Sequence, residues 1–234
     1  MLELLKPKTA YIHTADANLD LTSGNLPAVS RLIITGSGFT ASKNVTLPSA
    51  GVIAGEVFEI HNRSTSWGCT VKASDGSTIN SNSKVFFKNG KALLMSLQTT
   101  PTTSAHWRVL EISEEGSYTP VLQVGSETNC SGVSGDTSYY KRDGNTVTVW
   151  GSFLATATSP SNYSACRLTL PIDRNATNFT NTNNLVGTTH WENNSPQQHR
   201  IVAYTSDSNK GTFNFFTTNS GSQRFHFYLT YKLD

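Results

Sequence analysis

The chain has 234 residues, with 18 Lys and Arg against 16 Asp and Glu, for a formal net charge of +2. Only 15% of the residues are charged, while Ser, Thr and Asn make up roughly a third, a composition that suits strands and turns better than helices. The dispersed Lys and Arg form no basic stripe for phosphates, and no apolar run approaches the roughly 20 residues of a transmembrane helix, so neither nucleic acid binding nor membrane insertion is expected.

Residues 1–28 show no sustained period and are punctuated by Pro7, Gly24 and Pro27, which predicts an extended N-terminal arm. Leu2, Leu4, Leu5, Tyr11 and Ile12 give that arm enough apolar surface to dock on another protein. The start MLELLKPKTA has no basic n-region, long apolar core or small-residue cleavage site, so it does not read as a secretion signal. Cys69, Cys130 and Cys166 are an odd number at wide spacings, fitting neither a disulfide framework nor a zinc site; reduced thiols and cytoplasmic synthesis are expected.

Residues 29–113 read as a first β domain of about seven or eight short strands separated by turns. In order these are SRLIITGS, KNVTLPSAG, GEVFEIHN, CTVKAS, STIN, the pair KVFFKNGKALLMSLQ about Asn89-Gly90, and HWRVLEI. No stretch offers a helical crossover, so antiparallel pairing in a sandwich or barrel is the expectation. Alternation stops at Ser113-Glu114-Glu115-Gly116, read as a charged link between domains. Glu114 and Glu115 are adjacent, so on an extended chain they point to opposite sides and do not form an acid/base pair.

Residues 114–234 read as a second β domain of about eight strands. Its clearest hairpin is YYKRDGNTVTVWGSFLATA, where Asp143-Gly144 predicts a tight type I′ turn and Val147, Val149, Phe153 and Ala155 alternate with Thr146, Thr148, Ser152 and Leu154. CRLTLPI, LVGTTHWEN, HRIVAYTSD and KGTFNFFTTN follow. In the last strand Phe225, Phe227, Leu229, Tyr231 and Leu233 face one way, and Arg224, His226, Tyr228, Thr230 and Lys232 the other. The fold class expected for the whole chain is all-β, with two antiparallel sandwich-like or barrel-like domains in tandem.

VTLPSAG, GEVFEIHN, the ASDGSTI segment and HWRVLEI together resemble small β modules of bacteriophage tail fibres and tailspikes. GSYTPVL, YYKRDGNTVTVWGSF, LTLPI and FYLTYKLD are similar to the C-terminal β-sandwiches of phage receptor-binding proteins. The resemblance implies a virion appendage assembled as a homotrimer. Its arm would attach to other virion proteins, and its C-terminal domain would bind a host cell-surface glycan without catalysis or cofactor. It also admits a structural alternative, a head fibre or capsid decoration protein, and a catalytic one, a polysaccharide-degrading tailspike.

The chemistry-bearing residues favour binding. The nearest approach to a nucleophile elbow, Gly132-Val133-Ser134-Gly135-Asp136, has its second glycine too close to the serine. Six scattered histidines give no local metal-ligand spacing, so no metal site is expected. A glycosidase would need two carboxylates about 5 to 9 Å apart; Asp136, Asp173, Glu192 and Asp207 are available, with nothing in the sequence to pair them. Sugar rings stack on flat apolar faces while amides and hydroxyls bond their OH groups. That singles out Trp191 in HWENNSPQQH, with His190, Asn193 and Asn194, and Tyr163 in SPSNYSAC, as receptor-contact candidates. Packing in the core or lining a subunit interface is the competing role for Trp191, and packing is the expected role of Trp67, Trp107 and Trp150.

Overall fold

The computed structural model describes residues 10–22, 31–35, 39–79, 86–123, 129–131, 134–159, 161–172, 179–192, 198–205, 210–216 and 221–233. Their regular structure is strand apart from two short 3-10 turns (Ser104–His106 and Thr182–Asn184), with no α-helix. The chain divides into two compact units, residues 1–115 and 116–234, each with its own hydrophobic core.

The first unit contains β1 (Ala10–His13), β2 (Leu19–Asp20), β3 (Arg31–Ile34), β4 (Lys43–Thr46), β5 (Val57–Asn62), β6 (Cys69–Lys72), β7 (Phe86–Phe87), β8 (Gly90–Ser96) and most of β9 (Trp107–Tyr118). The strands alternate between two sheets. β1, β3 and β5 pair in parallel in one, and β2, β4 and β6 pair in parallel in the other. This corrects the expectation of antiparallel pairing throughout. A parallel pair needs a crossover, and here a strand of the opposite sheet supplies it instead of a helix, so the chain winds as a short coil.

The period of the coil is visible in its corner bonds. Asn44 N donates to Asn18 Oδ1, 26 residues earlier, at 2.9 Å. Gly68 N donates to Ser42 Oγ, also 26 residues earlier, at 3.2 Å. The Asp16 carboxylate accepts from Thr40 Oγ1 at 2.6 Å and pairs with Lys43, whose ammonium is the main cause of a carboxyl held down at about 2. Inward residues from both sheets, among them Leu32, Ile60, Val45 and Val71, fill one core. β8 then pairs antiparallel with β5 and β9 antiparallel with β8, with a bulge between Leu93 and Leu94.

Two further expectations change here. Residues 10–22 belong to the coil's first turn, with Leu19 in the core, so an arm over residues 1–28 does not describe them; residues 1–9 and 23–28 lie outside the described residues. The expected link at residues 113–116 is part of one uninterrupted strand, β9, in which Glu114 is buried.

The second unit takes the end of β9 and adds β10 (Leu122–Gln123), β11 (Cys130–Ser131), β12 (Ser138–Asp143), β13 (Thr146–Ala157), β14 (Tyr163–Thr169), β15 (Leu185–Trp191), β16 (Gln198–Ala203), β17 (Lys210–Phe216) and β18 (Ser222–Lys232). From β12 the hydrogen-bonded order is β12-β13-β18-β15-β16-β17-β14-β10, with antiparallel neighbours, and it does not close into a barrel. The expected turn at Asp143-Gly144 shifts by one residue. Asp143 pairs with Thr146, leaving Gly144-Asn145 as the loop, and Gly144 alone has positive φ (56°), which is the type II′ pattern.

One sheet produces the sandwich-like core by curling. Four strand steps separate β13 from β17, about 19 Å on a flat sheet. Yet the rings of Phe153 and Phe213 meet at 5.1 Å, with Phe225 stacked on Phe153 at 5.6 Å. Asn129 holds the curl where β13 ends and β14 begins: its Oδ1 accepts from Thr158 Oγ1 at 2.6 Å, and its Nδ2 donates to Ser159 O at 2.7 Å and Ser164 Oγ at 3.0 Å. The two-faced readings of β13 and β18 hold along their length. Val147, Val149, Phe153 and Ala155 are buried, as are Phe225, Phe227, Leu229, Tyr231 and Leu233.

Candidate glycan-binding face

In the second unit the inner face of the sheet is filled by core residues, and strand register decides which side chains meet on the outer face. Tyr139 on β12 is the partner of Trp150 on β13, Trp150 of Tyr228 on β18, Tyr228 of Thr188 on β15, and Thr188 of Arg200 on β16. These side chains form one row running across the strands. The three aromatics at its start are 51%, 41% and 56% exposed, and the rings of Tyr139 and Trp150 stack at 6.3 Å with 25° between their planes. Their chain neighbours Tyr140, Val149, Phe227 and Leu229 are buried, which fixes the outward direction of the row.

Polar rows border it on both sides. On one side Lys141, Thr148 and Thr230 stand opposite one another, followed by exposed Val186. On the other, Ser152, His226 and His190 do the same, and the two imidazoles stack at 5.3 Å. Beyond them Arg224 pairs with Asp136 at 2.5 Å and with Glu192 at 3.3 Å, and Asp136 also accepts from Ser152 Oγ at 2.6 Å. Two of the four carboxylates considered for glycosidic chemistry thus come together, but with a guanidinium spanning them. Asp173 and Asp207 lie outside the described residues.

The sequence candidates are dispersed. Trp191 ends β15 on the inner side, half-buried against the core, and its buried Nε1 has no hydrogen-bond partner among the described residues. His190, one residue earlier, points outward and joins the polar border. Tyr163 begins β14 and is 56% exposed, but β17 and β16 stand between β14 and β15. Three strand steps separate it from His190. Asn193 and Asn194 lie outside the described residues.

Trp107 is 5% exposed and meets Phe58 edge-on at 5.4 Å, while Trp67 is half-buried against the same core. Trp150 departs from the packing role expected of it. The signal was present in the alternation that turns Val147, Val149 and Phe153 inward, since the same parity sends Trp150 out. What joins it to Tyr139 and Tyr228 is pairing register between strands far apart in sequence.

Among the described residues no group of three or more His, Cys, Asp or Glu is placed to hold a metal ion, and no helix is long and apolar enough to cross a membrane. An exposed aromatic strip bordered by hydroxyl, imidazole and ammonium groups suits contact with a ligand that is apolar on one face and hydroxylated at its rim. No family model, curated protein or solved structure matches the chain.

Proposed function

We propose that the chain is a bacteriophage virion appendage of the tail-fibre kind, which holds a host cell-surface glycan by binding alone. The observation that carries the glycan reading is the outward row of Tyr139, Trp150 and Tyr228. Exposed aromatics on adjacent strands leave apolar area in water that a pyranose ring can cover with its C–H face, while its hydroxyls turn to the flanking Thr, Ser and His side chains. The virion setting rests on the likeness of the strand and turn motifs to phage β modules. A trimeric assembly belongs to the same reading, and it would turn weak single-site contacts into firm adsorption through multivalency.

The test is adsorption of the purified chain to bacterial cells before and after periodate oxidation of their surface glycans, together with immunolabelling of the phage particle. Loss of adsorption after oxidation and label on the particle's host-facing appendage are expected. Adsorption that survives glycan removal counts against the glycan, and label on the capsid faces replaces the tail fibre with a decoration protein.

A further inference from the structure

We infer, on the basis of the glycan reading above, that the ligand is a linear acidic glycan whose chain lies along the aromatic row, crossing the strands from Tyr139 over Trp150 to Tyr228, with its carboxylates toward Lys141 and Arg200. Three features of the face lead there.

The first is direction. The strands carrying the rings are about 4.8 Å apart and the Tyr139 and Trp150 ring centroids 6.3 Å apart, the order of the advance per residue of an extended pyranose chain, so rings on three successive strands run roughly in step with three successive sugars. A pocket for one terminal sugar would instead gather its aromatics around a single point.

The second is width. Side chains on one face of a strand repeat about every 6.8 Å, so the strip is one ring wide, with Thr148 and Thr230 on one border and Ser152 and His226 on the other. A single sugar chain spans that width and reaches both borders with its hydroxyls. A protein partner would want a broader apolar patch.

The third is charge. The aromatic row and the Lys141 row contain two cations, Lys141 and Arg200, and no carboxylate, and the next row sets Asp143 across Thr146 from Lys232. The acids on the opposite border, Asp136 and Glu192, are both engaged by Arg224. Arg200 lies on the row two strands past Tyr228, and its Nη2 donates to Asn183 Oδ1 at 2.8 Å, which fixes the guanidinium while leaving further donors for an anion.

The experiment is titration of the full chain with polymannuronate, polygalacturonate and polysialate, each as a ladder of one to six residues and each also in carboxyl-reduced form. For at least one series, affinity is expected to rise about tenfold with each residue up to three, to rise further until the chain spans the two strand steps from Tyr228 to Arg200, and to change by less than about threefold per residue thereafter. The acidic form should bind about tenfold or more tighter than its reduced counterpart, as a charge-assisted contact requires. Arg200→Gln should erase most of that preference, narrowing the gap between the acidic and reduced forms, whereas Trp150→Ala should weaken both forms and leave the gap in place. Tight binding of single sugars, or equal affinity for acidic and reduced chains, overturns the inference while leaving a glycan-binding unit. No binding to any ladder overturns it as well, and the cell-adsorption result then decides the broader reading. If Trp150→Ala changes the oligomeric state in sedimentation and no glycan affinity, the face is a contact between copies of the chain and the inference fails.

Discussion

Trp150 and Tyr228 are direct partners across β13 and β18, and both stand in water while the residues preceding them, Val149 and Phe227, are buried. A cross-strand aromatic pair contributes to sheet stability by roughly 0.2 to 1 kcal/mol. That gain is small beside the apolar area the pair leaves exposed, which a ligand on this face would cover.

Trp191 and Tyr163, alike as loop-side aromatics in the sequence, are expected to separate on mutation. Trp191→Ala removes a half-buried ring packed on the core and should cost about 2 to 3 kcal/mol in chemical denaturation. Tyr163→Ala should stay within about 0.5 kcal/mol of the parent, as an exposed substitution does. Equal stability of both variants would contradict the inward placement of Trp191.

Gly151 lies on the inner side of β13 where Ser138 comes close, and a Cβ there would overlap the Oγ and Cβ of that fully buried serine. Gly151→Ala should therefore destabilise the second unit by about 1 to 3 kcal/mol. Adding Ser138→Gly should recover much of the loss. A double variant no better than the single one would place the strain elsewhere.

Glu59 links β3 and β5, accepting from Arg31 Nε at 2.8 Å and pairing with His61 at 2.7 Å. Arg31 chiefly, with His61, holds its carboxyl down at about 2 from an ordinary 4.5. A depressed carboxylate contributes stability in full above its unfolded pKa and loses it as the pH falls toward the folded value. Glu59→Gln should thus lower the denaturation midpoint at neutral pH, with the difference from the parent shrinking between about 4.5 and about 2. A constant difference across that window would show that charge is not what Glu59 supplies.

The strands were legible because their alternation is local, and β12 to β18 fall on the segments picked out by period and turn chemistry. Pairing was not legible. Nothing in GEVFEIHN says that Glu59 will meet Arg31 in parallel, because the crossover between them is itself a strand and resembles the other strands in composition. The candidate site suffered likewise. Tyr139, Trp150 and Tyr228 are ordinary outward positions on their own strands, and only the register of β13 with β12 and β18 turns them into a row. Trp191 attracted attention through the polar residues after it, yet the parity that exposes His190 turns the indole inward.

The central claim, that the outer row of the second unit contacts the glycan, is tested most directly by following the four indole N–H signals in heteronuclear NMR while titrating a polysaccharide that the protein retains. Trp150 stands in the row, whereas Trp67, Trp107 and Trp191 pack on cores. The account predicts that the Trp150 signal shifts with ligand and saturates while the other three hold their positions. A shift confined to Trp191, with Trp150 unmoved, would contradict it.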